Sequence, residues 1–277
     1  MLEQNQFKKS NGTDHMDQTL AREIKQARKI QMKLLNARKP ELNEGEISGV
    51  SIPARLIGGD YFDFHTLPSG NVRIVIGDVM GKGIPAAMLM ILTRGVFRSS
   101  AEHLFSPSDT LEAMNEAMYS DLRTLGSFVT LLCADWNPKD QTLTYASAGH
   151  NLPIIIDQHL ELKNLPLIKG VMLGGLPNTK YQEKSVRLAD EDLIFFYTDG
   201  IIEAQSEKGE LFKIDRLVNS LRKYQHLEAE QIEEAIQLDV KSFTNGVLQK
   251  DDITMVVVKM KRIEERLHSK IASEKEG

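Results

Sequence analysis

Cysteine is nearly absent. Cys133 is the only one in 277 residues, so no intramolecular disulfide can form. Long apolar runs are missing too: none reaches the ~18–20 residues that a bilayer-spanning helix requires. Residues 1–17 are polar and lack the apolar core of a signal peptide. These absences point to a cytoplasmic protein with no stable membrane insertion. A basic surplus is also lacking. Lys and Arg total 34 against 39 Asp and Glu, a net charge of -5, which argues against a nucleic-acid partner. The seven histidines (15, 65, 103, 150, 159, 226 and 268) share no metal-ligand spacing. No internal repeat is visible. What is present is ordinary for a globular chain: 41% hydrophobic and 26% charged residues, enough for a buried core.

Along the chain, residues 1–16 read as a flexible polar lead. From Asp17, a candidate N-cap, Leu20, Ile24, Ala27, Gln31 and Leu34 recur at alternating spacings of four and three, the seam of a coiled-coil-like helix. Lys39-Pro40 ends it, because proline disfavours helix in the residue before it. Arg22, Lys25, Arg28, Lys29 and Lys33 lie off the seam. The seam packs either on the same chain or on a partner or second copy, making 17–40 a candidate regulatory or dimerisation helix. A membrane-surface role is weak without Trp or Phe on the apolar face.

The main domain spans 41–260. Strand patterns occupy 46–55, 60–67 and 71–79, with a Ser69-Gly70-Asn71 turn between the last two. Pro85 suits the first turn of a helix, and residues 86–97 are apolar almost all round, which predicts a deeply buried helix. A second helix covers 108–123. Strands follow at 127–136, 141–147, 152–156 and 192–198, helices at 213–224 and 228–244, and a strand at 253–260. A charged tail, 261–277, is expected to fray. Strands and helices arranged in blocks predict an α+β layered sandwich.

The chemistry concentrates on aspartates at strand edges. Asp60 follows Gly58-Gly59; Asp78 ends an apolar strand; Asp199 ends Leu193–Tyr197 plus Thr198 and precedes Gly200; Asp251 and Asp252 precede the last strand. Singly, each reads as a turn residue. Together they read as carboxylates converging at one end of a sheet. Two unit charges 4 Å apart cost roughly 4 kcal/mol at an effective dielectric of about 20, so such a cluster calls for a cation. Oxygen-only ligation favours magnesium, manganese or calcium over zinc or copper.

Five segments, in order, resemble the motifs of the metal-dependent protein phosphatases (the PPM family). The match is to the bacterial branch typified by the stage-II sporulation phosphatase and the general-stress-response phosphatases. They are Pro53–Phe64, Gly77–Ala87, Ser147–Asn151, Tyr197–Ala204 and Asp251–Thr254. The resemblance implies a four-layer α-β-β-α sandwich with two mainly antiparallel sheets, and two Mn2+ or Mg2+ ions at one sheet edge. Asp78 is then expected to bridge both ions, Asp199 and Asp251 to complete one, and Asp60 with the Val79 carbonyl to hold the other. Asp252 is a further ligand candidate, or a residue behind the ligands. The resemblance implies that Asp78, Asp60 and Asp199 carry catalysis, in which a water activated by the two ions would attack the phosphorus of phosphoserine or phosphothreonine. Arg55 is a candidate for gripping phosphate, against a surface arginine; His150 for a general acid, against a structural turn residue; and Lys82 for a phosphate contact, against a solvated loop lysine.

The resemblance also implies a substrate, a phosphorylated STAS-type anti-sigma-factor antagonist, and hence sigma-factor control. No Cys-x5-Arg loop surrounds Cys133, which speaks against cysteine-phosphatase chemistry. Gly77-x3-Gly81-Lys82-Gly83 is one residue short of a P-loop, with Gly83 where Ser or Thr would hold magnesium. The remaining alternative is a catalytically silent binding module of the same fold; the intact aspartates count against it.

Overall fold

The structure is a computed structural model that describes residues 2–35, 39–101 and 106–262, with side chains from residue 18 onward. It divides into two compact units, residues 1–36 and residues 37–277. The first is a single helix, α1 (Leu2–Leu35). It begins well before the Asp17 cap expected from the sequence, so the residues read as a flexible lead are helical from Leu2. Leu2, Glu3, Gln4, Gln6, Lys8 and Lys9 are good helix formers and no proline interrupts them. Of the expected fraying tail, 263–277 lies outside the described residues.

The second unit holds nine strands and four helices among its described residues. In chain order these are β1 (Gly45–Ile52), β2 (Tyr61–Thr66), β3 (Val72–Val79), α2 (Ile84–Ala101), α3 (Pro107–Thr124), β4 (Val129–Asn137), β5 (Thr142–Ala148), β6 (Ile154–Ile156), β7 (Glu183–Arg187), β8 (Leu193–Tyr197), α4 (Lys213–Tyr224), α5 (Ala229–Thr244) and β9 (Ile253–Met260). Two sheets form, ordered β1-β9-β8-β6 and β2-β3-β4-β5-β7, with every named pairing antiparallel. Helices α2 and α3 cover the five-stranded sheet; α4 and α5 cover the four-stranded one. This is the α+β layered sandwich that the element pattern predicts, in the four-layer form that the family resemblance implies.

Strands buried on both faces explain the layers, because side chains alternate across a strand. In β8, Ile194 and Phe196 enter the core between the sheets with Ile74, Ile76 and Trp136, while Leu193, Phe195 and Tyr197 face α4 and α5. In β9, Val256 and Val258 take the first side and Met255 and Val257 the second. A one-residue slip of either strand would exchange the two cores, so register is strongly specified.

Two expectations need correction. Helix α2 is not buried all round. Ala86, Ala87, Met90, Thr93, Phe97 and Ala101 face the sheet, whereas Met88 is 70% exposed and Ile84, Ile91 and Leu92 are exposed with it. A helix lying on one sheet can bury only one face, whatever its composition. Strand β7 was not foreseen: it is a polar edge strand, Glu-Lys-Ser-Val-Arg, joined to β5 by backbone pairing and carrying no apolar alternation.

Candidate functional site

The candidate aspartates come from separate elements that end at one edge of the sandwich. Asp60 immediately precedes β2 and Asp78 is the penultimate residue of β3, opposite Thr130 of β4. Asp199 follows β8 by two residues, and Asp251 and Asp252 lead into β9. Glycines let these segments touch. A Cβ on Gly59 would lie 3.1 Å from the Val79 carbonyl oxygen and 3.0 Å from the Ala86 Cβ. A Cβ on Gly200 would lie 1.9 Å from the Asp252 carbonyl oxygen, an impossible contact. The Gly59-Asp60 turn therefore lies against Val79, and the Asp199-Gly200 turn against Asp251-Asp252.

Electrostatically the cluster is crowded. The Asp78 carboxyl is pushed up to about 7, first by burial and then by Asp199, Asp251 and Asp252, with a hydrogen bond to Asp60 opposing the shift. Burial, followed by Asp78, drives Asp60 well above the usual carboxylate range. Buried carboxyls that repel one another in this way favour a proton or a cation between them. Burial and then Asp251 raise Asp199. Burial, then Asp199 and Asp251, also raises the neighbouring Glu203.

Three of the carboxylates meet donors of the chain. Thr198 Oγ1 donates to Asp60 Oδ2 at 2.8 Å, and the Thr198 hydroxyl in turn accepts the Thr254 amide at 3.0 Å. Asp252 accepts the Ala54 amide at 2.7 Å and the Gly59 amide at 2.6 Å, one on each oxygen. Asp252 thus clamps the loop that carries Asp60. Lys82, on the loop between Gly81 and Gly83, donates to Asp251 at 2.7 Å and to the Lys250 carbonyl. Both flanking glycines have positive φ (98° and 74°), a backbone shape that favours glycine. Among the described residues, no three carboxylate, imidazole or thiolate side chains are already drawn together as a finished metal site. The donor set is nonetheless all oxygen and carries excess negative charge, the chemistry that suits hard divalent cations.

The other candidates separate clearly. Arg55 is exposed, and its Nη1 lies 3.4 Å from where a Gly83 Cβ would stand, so the guanidinium borders the loop that follows Asp78. His150 is buried. Its Nε2 lies 3.2 Å from the Tyr197 carbonyl oxygen and its Nδ1 2.9 Å from Thr130 Oγ1. A carbonyl only accepts, so Nε2 carries the proton and Nδ1 accepts from the threonine. Burial lowers this imidazole to about 4. It ties β8 to β4 and serves as a structural pin. Thr198 and Thr254 escaped the sequence reading, although each stands within two residues of a candidate aspartate.

Comparison with known proteins bears on the family and the fold. Residues 68–261 match the family model for stage II sporulation protein E (SpoIIE). The chain is 29% identical over 252 residues to the phosphoserine phosphatase RsbU of Bacillus subtilis, covering 89% of this chain and 72% of that protein. The solved SiaA-PP2C domain of Pseudomonas aeruginosa superposes with a TM-score of 0.76 at 20% identity, over 89% of this chain and 99% of the other. RsbX, solved in complex with magnesium, superposes with a TM-score of 0.61 at 18% identity, over 81% and 99%. The chain belongs to the SpoIIE family, in the SpoIIE/RsbU branch of the PPM phosphoprotein phosphatases.

Proposed function

We propose that the carboxylate cluster hydrolyses phosphoserine or phosphothreonine on a protein substrate with two divalent cations, Mn2+ or Mg2+. The observation that carries this reading is the convergence of Asp60, Asp78, Asp199 and Asp251 at the sheet edge, where burial, then Asp199, Asp251 and Asp252, push the Asp78 carboxyl up to about 7. Asp78 would serve both cations, Asp199 and Asp251 one of them, and Asp60 with the Val79 carbonyl the other. Bound there, such ions acidify a water and offset charge on the phosphoryl oxygens. The chain's own part is to hold the ligands: Thr198 orients Asp60, Asp252 fixes the Asp60 loop, and Lys82 steadies Asp251. Arg55 is the candidate grip on phosphate, since a planar guanidinium can hold two oxygens. A magnesium complex of the structural relative RsbX supports divalent-metal dependence.

The substrate we infer is a STAS-type anti-sigma-factor antagonist in a partner-switching pathway. The likeness to RsbU supports it, as does a neighbour that joins RsbU and RsbW domains in one chain. An activating protein or a second copy is proposed to act through residues 17–38, where Leu20 and Ala27 of the seam are exposed. Among the described residues no helix is long and apolar enough to cross a membrane.

Hydrolysis of an aryl phosphate and of a phosphoserine peptide, with and without manganese, tests this. Metal-dependent turnover that collapses in Asp78→Asn is expected. Metal binding without turnover, even on phosphorylated proteins, would instead favour the silent binding module.

A further inference from the structure

A groove of about 1010 Å³ opens beside the cluster. Its walls are α5, the segment that follows Asp199, and the loop 246–251. At one end it is lined by Lys82, Gly200 and Asp251, so it is continuous with the carboxylate cluster. The lining also carries the apolar side chains of Leu211, Leu238, Val247 and Leu248. Leu238 is 61% exposed and Leu248 88% exposed. The leucine-bearing loop is held in place: the Gln249 amide donates to the carbonyls of Ile52 at 2.8 Å and Asp251 at 2.7 Å, and the Val247 amide bonds Thr244. An ordered loop that raises a leucine beside a candidate active site has no packing reason within the fold.

We propose that this groove is the docking track for the polypeptide that flanks the phosphorylated residue, and that it selects an apolar side chain there. The proposal rests on the phosphatase reading of the cluster. A phosphate monoester alone would occupy only the Asp251 end and leave the rest of the groove unfilled. A phosphoprotein has to lead its chain away from the reacting phosphorus, and the groove is open along that course. Charges of both signs, Glu203 and Glu234 with Lys241 and Lys250, stand around it, so no single charge dominates recognition. The selective contact is therefore the leucine wall.

The probe is a set of short phosphoserine peptides in which one leucine is walked along a polar sequence, with the leucine-free peptide and an aryl phosphate as references. At one or more positions leucine is expected to raise kcat/KM about tenfold, mainly through KM, as burial of an aliphatic side chain would. In the doubly substituted Leu238→Asp, Leu248→Asp chain that preference disappears, while aryl phosphate hydrolysis stays at the native rate. Both positions are exposed, so folding is not at risk, and a melting curve verifies it. Native aryl phosphate turnover with no preference at any leucine position, or a preference unchanged in the double variant, overturns the docking track alone. Absence of aryl phosphate turnover in the native chain overturns the phosphatase reading beneath it. A native dimer that dissociates in the double variant would assign the groove to a second copy, and would also overturn the proposal.

Discussion

Thr198 donates its hydroxyl to Asp60 at 2.8 Å across 138 positions of sequence, and its oxygen takes the Thr254 amide at 3.0 Å. One hydroxyl thus links three of the motif segments. Thr198→Val keeps the shape but removes both bonds. Manganese affinity is expected to fall by about 10–100-fold, the usual consequence of losing a group that orients a ligand. Calorimetric titration of manganese measures this, and an unchanged affinity would mean that Asp60 is positioned by its loop alone.

His150 makes stability depend on pH. Unfolded, its imidazole titrates near 6.5; folded, it is lowered to about 4 by burial. The folded-state value is the lower one, so below about 6.5 the unfolded chain takes up a proton that the native chain refuses. The contribution is complete above pH 6.5 and is lost as pH falls towards 4, a difference of roughly 3 kcal/mol. Other carboxylates titrate in the same window, so the informative quantity is the native chain minus His150→Asn. Urea unfolding at several pH values should show that difference changing between pH 6.5 and 4 and staying flat above.

Arg73 is fully buried and grips Asp135 with two bonds of 2.7 Å, from Nε and Nη2, while Nη1 holds Thr110 at 2.6 Å. Removing one partner strands the other charge in the core. Asp135→Ala is expected to destabilise by about 3–5 kcal/mol, whereas Arg73→Met combined with Asp135→Leu costs much less. Denaturant midpoints of the two chains decide it, and equal losses would show that the pair itself stabilises the fold.

Gly200 and Gly95 make a matched test of backbone approach. A methyl at Gly200 would lie 1.9 Å from the Asp252 carbonyl oxygen, so Gly200→Ala must push the Asp199 turn away from the cluster. Metal-dependent activity is expected to fall at least tenfold. Gly95 lies inside α2 with nothing within 4 Å of its added Cβ. Gly95→Ala should therefore stabilise by about 0.5–1 kcal/mol, the helix propensity gain. Thermal melts and turnover of the two chains together provide the check.

Much of this was legible in the residues themselves. Period-two and helical patterns placed α4 and α5 within a residue of where they lie, and β9 at 253–260, because runs such as Ile253–Met260 have no other way to bury both faces. The five ordered motifs mark Asp60, Asp78, Asp199, Asp251 and Asp252 as candidates by position alone. The polar edge strand Glu183–Arg187 was illegible, since edge pairing uses backbone groups that every residue has. The one-sided burial of α2 depends on which neighbour covers it. No local pattern distinguishes Met90, fully buried, from Met88, 70% exposed. Which donor each carboxylate faces was likewise decided by tertiary structure: Asp60 meets Thr198, Asp252 meets the Gly59 amide and Asp251 meets Lys82. These partners lie 138 to 193 positions apart, and only closure of the two sheets brings them within hydrogen-bonding range.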